Sequence, residues 1–151
     1  MEHRKIEIRR FNELDLRDLY EILRARVDVF VVEQNCLYPE LDGIDYDAIH
    51  MFMKDESGTV ISCLRIFENR NGELQIGRVL TRKRNAHLGQ EILHAAVEYI
   101  DHIYPGRPIV LEAQTYAIGF YEKEGFRVIS EEFLEDGIPH VKMQRDTATG
   151  D

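Results

Sequence analysis

The sequence predicts a single α/β domain, a mixed and mostly antiparallel sheet flanked by helices. Three observations predict it. Short stretches of apolar residues with strand character are interspersed with stretches of helical spacing, in the order strand, helix, three strands, helix, strand, helix, two strands. The turns Glu56-Ser57-Gly58-Thr59 and Asn69-Arg70-Asn71-Gly72 join the middle strands as hairpins, which pairs them antiparallel. A long helical stretch separates two later strands, and such a crossover pairs its strands in parallel. The 151 residues suffice for one sizeable core and not for two.

Each element has its own signal. Residues 5–10 alternate, with Ile6 and Ile8 on one face, and read as the first strand. Asn12 is placed to cap the helix that follows, where Leu16, Leu19, Leu23, Val27 and Phe30 trace one apolar face. Phe30-Val31-Val32 then leads into an aperiodic loop over residues 33–43. Residues 50–54, 60–68 and 73–80 read as the next three strands, with Val79-Leu80 as the buried pair of the fourth. The main helix covers residues 88–104, read from Leu88, Ile92, Leu93 and Ala96, and stops at Pro105-Gly106. Residues 109–113 form a continuous apolar run, the mark of a buried strand. A short helix over residues 117–124 ends at Gly125 in the C′ position. Residues 126–133 read as the sixth strand, which Asp136-Gly137 turns into a last one over residues 140–145. Residues 147–151 read as a frayed tail.

Composition narrows the function classes. The net charge of −9 argues against a general binder of nucleic acid or anionic membrane. No apolar run approaches the roughly 20 residues that a membrane span needs. The start, Met1-Glu2-His3-Arg4-Lys5, runs straight into a strand pattern, so no signal peptide is expected. Cys36 and Cys63 make no disulfide framework, and no Cys/His spacing suggests zinc or another metal. A cytoplasmic protein with reduced thiols is expected.

One stretch concentrates positive charge in this acidic chain. The fourth strand passes through Arg82, Lys83 and Arg84 into the first turn of the main helix, where Gly89 carries no Cβ. First-turn amides have no intrahelical partner, and the helix dipole favours an anion beside them. The stretch reads either as a cradle for phosphate or pyrophosphate, or as a solvated loop before an amphipathic helix.

The strand, turn and helix start over residues 78–90 resemble motif A of the GNAT acyl-CoA N-acyltransferases, whose pattern is Arg/Gln-x-x-Gly-x-Gly/Ala. Arg84 matches its first position and Gly89 its last, while His87 stands where the first glycine usually is. Residues 112–126 resemble motif B, with the core Phe120-Tyr121-x-x-x-Gly125-Phe126. Residues 26–36 and 136–140 are similar to the ElaA-type branch of the family. The resemblance spans nearly the whole chain. It implies the GNAT fold, in which the fourth and fifth strands splay apart, and transfer of an acetyl group from acetyl-CoA to a primary amine on a small molecule or peptide. Val79, Leu80 and Thr81 would hold pantetheine through their backbone, and a backbone amide near Val79 or Leu80 would polarise the thioester carbonyl. Arg84, Asn85, Ala86, His87, Leu88, Gly89 and Gln90 would hold the pyrophosphate, with Phe120 also on the cofactor. A homodimer is a further implication. The His87 departure carries the alternative of another class, a GNAT-fold protein that binds CoA or a partner without turnover.

The same resemblance makes Tyr121 the general acid that protonates the departing thiolate; the bland reading is a packing tyrosine. An amine must lose its proton before attack, so a base is expected. Glu112, near the splay, is the candidate carried furthest, with Glu33 and His50 behind it. Their structural alternatives are a strand-end carboxylate, a solvated loop residue and a satisfied strand histidine. Glu40, Asp42, Asp45 and Asp47 read as a solvated turn, or as a lure for a cationic amine. Their spacing fails the EF-hand pattern. Cys36 reads as a packing residue, because amine attack is direct in the family. His140 follows Ile138-Pro139 at the entry to the last strand and is a candidate for the acceptor pocket.

Overall fold

The computed structural model describes residues 5–35, 39–82 and 86–146. The described residues form eight strands in one sheet: β1 (Ile6–Arg10), β2 (Ile49–Lys54), β3 (Val60–Glu68), β4 (Leu74–Thr81), β5 (Ile109–Gln114), β6 (Arg127–Val128), β7 (Phe133–Glu135) and β8 (Ile138–Arg145). Their order is β1-β2-β3-β4-β5-β8-β6, with β7 also paired to β8. Three α-helices are α1 (Leu16–Arg26), α2 (Ala86–Ile103) and α3 (Ile118–Glu122). All pairs are antiparallel except β4–β5, which is parallel as the α2 crossover requires.

Two cores follow from the period of two. In β2, Met51 and Met53 join α2 residues Ile92, Leu93, Ala96 and Ile100 on one face of the sheet. Phe52 points the other way and meets Ile22 and Ala25 of α1, beside Val60, Cys63 and Leu80. Cys63 is buried there as a free thiol, and desolvation pushes its pKa up to about 12.

Three elements differ from expectation. The α1 cap is Asp15, whose carboxylate accepts from the Asp18 amide at 2.7 Å, while Asn12 lies in a preceding 3-10 turn. The buried face of α1 is Asp18, Ile22, Ala25 and Arg26, and Leu16 is 86% exposed. The helix turns this way because Arg26 is drawn inward by buried carboxylates, and from Val27 to Glu33 it widens into a π-helix. The expected sixth strand is two: Ser130 accepts the Lys142 amide on its side-chain hydroxyl at 2.8 Å, replacing a ladder carbonyl, and the strand breaks between β6 and β7. The turn that follows is as expected, with Asp136 at φ 52° and Gly137 at φ 78°, the pairing of a type I′ hairpin. The expected short helix is cut to α3 and entered through a 3-10 turn, Thr115–Ala117. The tail over residues 147–151 and Cys36 lie outside the described residues.

The sheet opens at one place. β4 and β5 pair only at Leu74↔Ile109 and Gln75↔Val110, and beyond these the strands part. This is the splay that the resemblance implied.

Candidate functional site

The parting strands bound a cleft of about 870 Å³. β4 lines one wall from Gln75 to Thr81, and β5 lines the other with Leu111, Glu112 and Gln114. Val29 and Phe30 of the π-helix close one end, and Glu135 and His140 stand at another. Across the mouth the Gln114 side-chain amide donates to the Gln34 side-chain oxygen at 3.3 Å. A π-helix inserts an extra residue per turn and is found most often at functional sites.

β4 carries a bulge in this wall. Cys63 pairs with Leu80 and Arg65 with Gly77, so Arg78 and Val79 together face the single residue Leu64. Arg78 has φ 52°, a left-handed conformation that a side chain disfavours by roughly 1–2 kcal/mol. The bulge is why Val79 is only half-buried while Leu80 is buried, against the expected buried pair.

A buried ion network stands behind the bulge. Arg26, 1% exposed, donates from Nε to Glu40 Oε2 at 2.8 Å and from Nη1 to Asp45 Oδ1 at 2.7 Å. Arg65 grips both oxygens of Asp42, at 2.9 and 2.6 Å, and reaches Asp45 at 3.1 Å. Arg78 donates from Nε to Glu40 Oε2 at 2.7 Å. Burial works against the Asp42 carboxylate, but Arg65 outweighs it and holds the pKa down to about 2. Burial works likewise against Asp45, and Arg26 and Arg65 hold it below the usual range. Glu40, Asp42 and Asp45 are therefore neither a solvated turn nor a lure for an amine. They are tied to three arginines from α1, β3 and β4. Asp42 and Asp47 are both exposed, but Asp42 is drawn into this network by Arg65 and Asp47 stays outside it.

Tyr121 lines the cleft with its ring held edge-on by Phe120 and Phe126, at centroid distances of 5.0 and 6.1 Å. Burial, with a smaller push from Tyr116, raises its pKa well above the ordinary value, so the hydroxyl keeps its proton at neutral pH. Glu112 faces the same cleft and shares a hydrogen bond with Glu135, whose pKa is raised to about 7 by desolvation first and by Glu112 second. Glu135 therefore takes up and releases its proton near neutrality, beside Glu112. His140 donates from Nδ1 to the Ile138 carbonyl at 2.7 Å and stacks on Phe133 at the cleft's edge.

The other base candidates are elsewhere. His50 is 2% exposed, and its Nε2–H donates to the Asp45 carbonyl at 2.9 Å. Desolvation lowers its pKa and keeps it neutral, so it is the satisfied strand histidine. Glu33 is exposed at the end of the π-helix and is not part of the cleft lining.

The expected pyrophosphate cradle is described in part. Lys83, Arg84 and Asn85 lie outside the described residues, and of Ala86 only the backbone is described. His87 is exposed on the first turn of α2, where Leu88 enters the core. Arg82 is turned toward Asp28, to which Nη2 donates at 2.9 Å. A Cβ on Gly89 would sit 3.2 Å from Thr81 Oγ1 and 3.4 Å from the Phe120 ring. Glycine there lets α2 start hard against the end of β4, with Phe120 packed behind Thr81. Gln90 reaches Glu124 at 3.5 Å. Of the expected site residues, the cleft thus gathers Val79, Leu80, Thr81, Glu112, Tyr121 and His140.

Arg26, Arg65, Arg78 and Glu135 were not singled out in the sequence. Arg26 alone left a trace: it shares a helical face with Ile22 and Ala25, a charge where the apolar stripe continues.

A family model described as an acetyltransferase (GNAT) domain matches residues 24–147. Over 140 residues the chain is 41% identical to UPF0039 protein Rv2851c of Mycobacterium tuberculosis (strain ATCC 25618 / H37Rv), covering 88% of this chain and 87% of that protein. The crystal structure of Escherichia coli ElaA superposes with a TM-score of 0.89 at 32% identity, over 95% of this chain and 100% of that one. An acyl-CoA N-acyltransferase from Pseudomonas aeruginosa superposes with a TM-score of 0.88 at 32% identity, over 93% and 99% of the two chains.

Proposed function

The chain belongs to the acetyltransferase (GNAT) family, and from that premise we propose that it moves an acetyl group from acetyl-CoA to a primary amine. The observation that supports this most is the splayed cleft itself: β4 beyond Gln75 has lost its β5 neighbour, and Tyr121 lies on the cleft's lining. An unpaired strand edge from Gly77 to Thr81 suits an extended, amide-bearing pantetheine arm, which can bond to it as a partner strand would. The start of α2 suits the pyrophosphate. When bound, acetyl-CoA supplies an activated thioester.

The residues then divide the work. Val79, Leu80 and Thr81 hold the pantetheine arm, and an amide of the bulge, at Val79 or Leu80, donates to the thioester carbonyl oxygen. Glu112, acting with Glu135, accepts the proton that the amine must lose. The amine nitrogen bonds to the carbonyl carbon, the carbon–sulfur bond breaks, and Tyr121 gives its proton to the sulfur. Tyr121 is a weak acid here, but a thiolate expelled into the same desolvated space is raised by the same cause, so the transfer stays matched.

Calorimetric titration with acetyl-CoA at low and high salt, followed by thiol release over a panel of amines, tests this reading. Saturable binding that weakens with salt, and release with at least one amine, is expected. Binding without release across a broad panel would return the CoA-binding form of the non-catalytic alternative, and no binding would end the acyl-transfer reading and leave only the partner-binding form.

A further inference from the structure

Arg78 is the only non-glycine residue of β4 with positive φ, and it stands at the bulge that faces the cleft. Nothing about an arginine favours that conformation. Its side chain, however, is held at three points. Nε donates to Glu40 Oε2 at 2.7 Å, and Nη2 lies 3.3 Å from both the Glu40 carbonyl and Asp42 Oδ2. Glu40 is in turn 5% exposed and fixed by Arg26, and Asp42 is fixed by both arms of Arg65. A rigid buried network therefore grips the one residue whose backbone must bend.

We propose that Glu40, with Asp42, is the positioning device of the site: by clamping the Arg78 side chain it holds the β4 backbone in the left-handed bulge that turns the Val79 amide toward the acyl carbonyl. The inference rests on the acyl-transfer reading for what the bulge does, and on geometry alone for the clamp. It separates two roles for Arg78. As a clamp handle, its charge matters only because an L-residue needs holding at positive φ. As a direct partner of the acceptor, its guanidinium would matter whatever the backbone does, and Glu135 lies close enough to feel that charge.

Glycine at position 78 tells these apart, since it adopts positive φ without help. The experiment compares wild type, Arg78→Ala, Arg78→Gly and Glu40→Gln by two readouts. Without ligand, backbone chemical shifts of residues 77–80 report the sign of φ at 78. With [1-13C]acetyl-CoA bound, the thioester carbonyl shift reports how strongly the carbonyl is polarised. Arg78→Ala and Glu40→Gln should lose the left-handed signature and at least half of the carbonyl shift, and Arg78→Gly should keep the signature and most of the shift. Glu40 also neutralises Arg26, so if Glu40→Gln does not fold, Asp42→Asn takes its place. A left-handed backbone and full shift in Arg78→Ala would overturn the clamp. Equal loss of carbonyl shift in Arg78→Gly and Arg78→Ala would overturn it in favour of the guanidinium itself. Absence of acetyl-CoA binding by the wild type would end the acyl-transfer reading and the catalytic half of this inference, while the ligand-free spectra would still decide the clamp.

Discussion

Tyr121 shows how a packing residue and the proposed general acid can be the same residue. Its ring is wedged between Phe120 and Phe126, and that burial lifts the pKa of its hydroxyl further above the ordinary value. Tyr121→Phe keeps the ring and removes only the hydroxyl. It should lower kcat by about 10²-fold or more, the usual size of a general-acid contribution, with acetyl-CoA affinity unchanged within about twofold on calorimetry. Equal turnover would leave Tyr121 only its packing role. The tyrosine was legible in the sequence because its motif is local, within seven consecutive residues. The carboxylates of the ion network were not. Arg65 lies 23 residues beyond Asp42 and Arg78 lies 38 beyond Glu40, so nothing near those acids announces that they are paired.

At the scale of elements, the hairpins were legible and the irregularities were not. Gly58, Gly72 and Asp136-Gly137 mark their turns because left-handed backbone has a residue signature. The β4 bulge has none, since Arg78 supplies the same conformation without being glycine. The face of α1 was misread because two stripes compete on it, and the choice was made by Glu40 and Asp45 from outside the helix. The junction of β4 and α2 gives a sharper test. Gly89→Leu would drive a side chain into Thr81 and Phe120, lift the start of α2 from the strand, and is expected to weaken acetyl-CoA binding at least about tenfold, while lowering Tm by several degrees. Gly119→Ala on α3 is the control, because a Cβ there meets nothing within 4 Å. Unchanged acetyl-CoA affinity in Gly89→Leu would place the pyrophosphate elsewhere.

Across the whole molecule the displaced carboxyl groups set the pH dependence. Asp42 and Asp45 titrate below their unfolded values, so their contribution is full above the ordinary carboxylate range and is lost as pH falls through the folded values, about 2 for Asp42. Glu135 has the opposite sign. Its folded pKa of about 7 lies above the ordinary 4.5, so the folded state holds the extra proton and stability falls as pH rises from 4.5 to 7. His50, kept neutral by burial, pulls the other way in the same window, because the unfolded chain takes up its proton below about 6.5. Subtraction isolates the carboxyl pair: the Tm of Glu135→Gln relative to wild type should climb between pH 4.5 and 7 and be flat from there to pH 8. A flat difference throughout would mean that Glu112 and Glu135 share no proton. No helix among the described residues is long and apolar enough to cross a membrane.

The short β4–β5 seam also makes the molecule a mechanical object. Two stiff plates, one from β1 to β4 and one built on β5 and β8, are stitched along a common edge by two residue pairs, Leu74↔Ile109 and Gln75↔Val110. α2 is the strut that covalently joins them and braces against the first plate. Such a seam fixes the two plates to each other at Gln75 and leaves β4 without a β5 partner from Ile76 to Thr81, like a book held at its spine. A cargo threaded along that edge would meet a tight grip near the spine and a forgiving one at the outer margin, which is the gradient needed to hold a reacting end still while the rest of a long, jointed molecule finds its place.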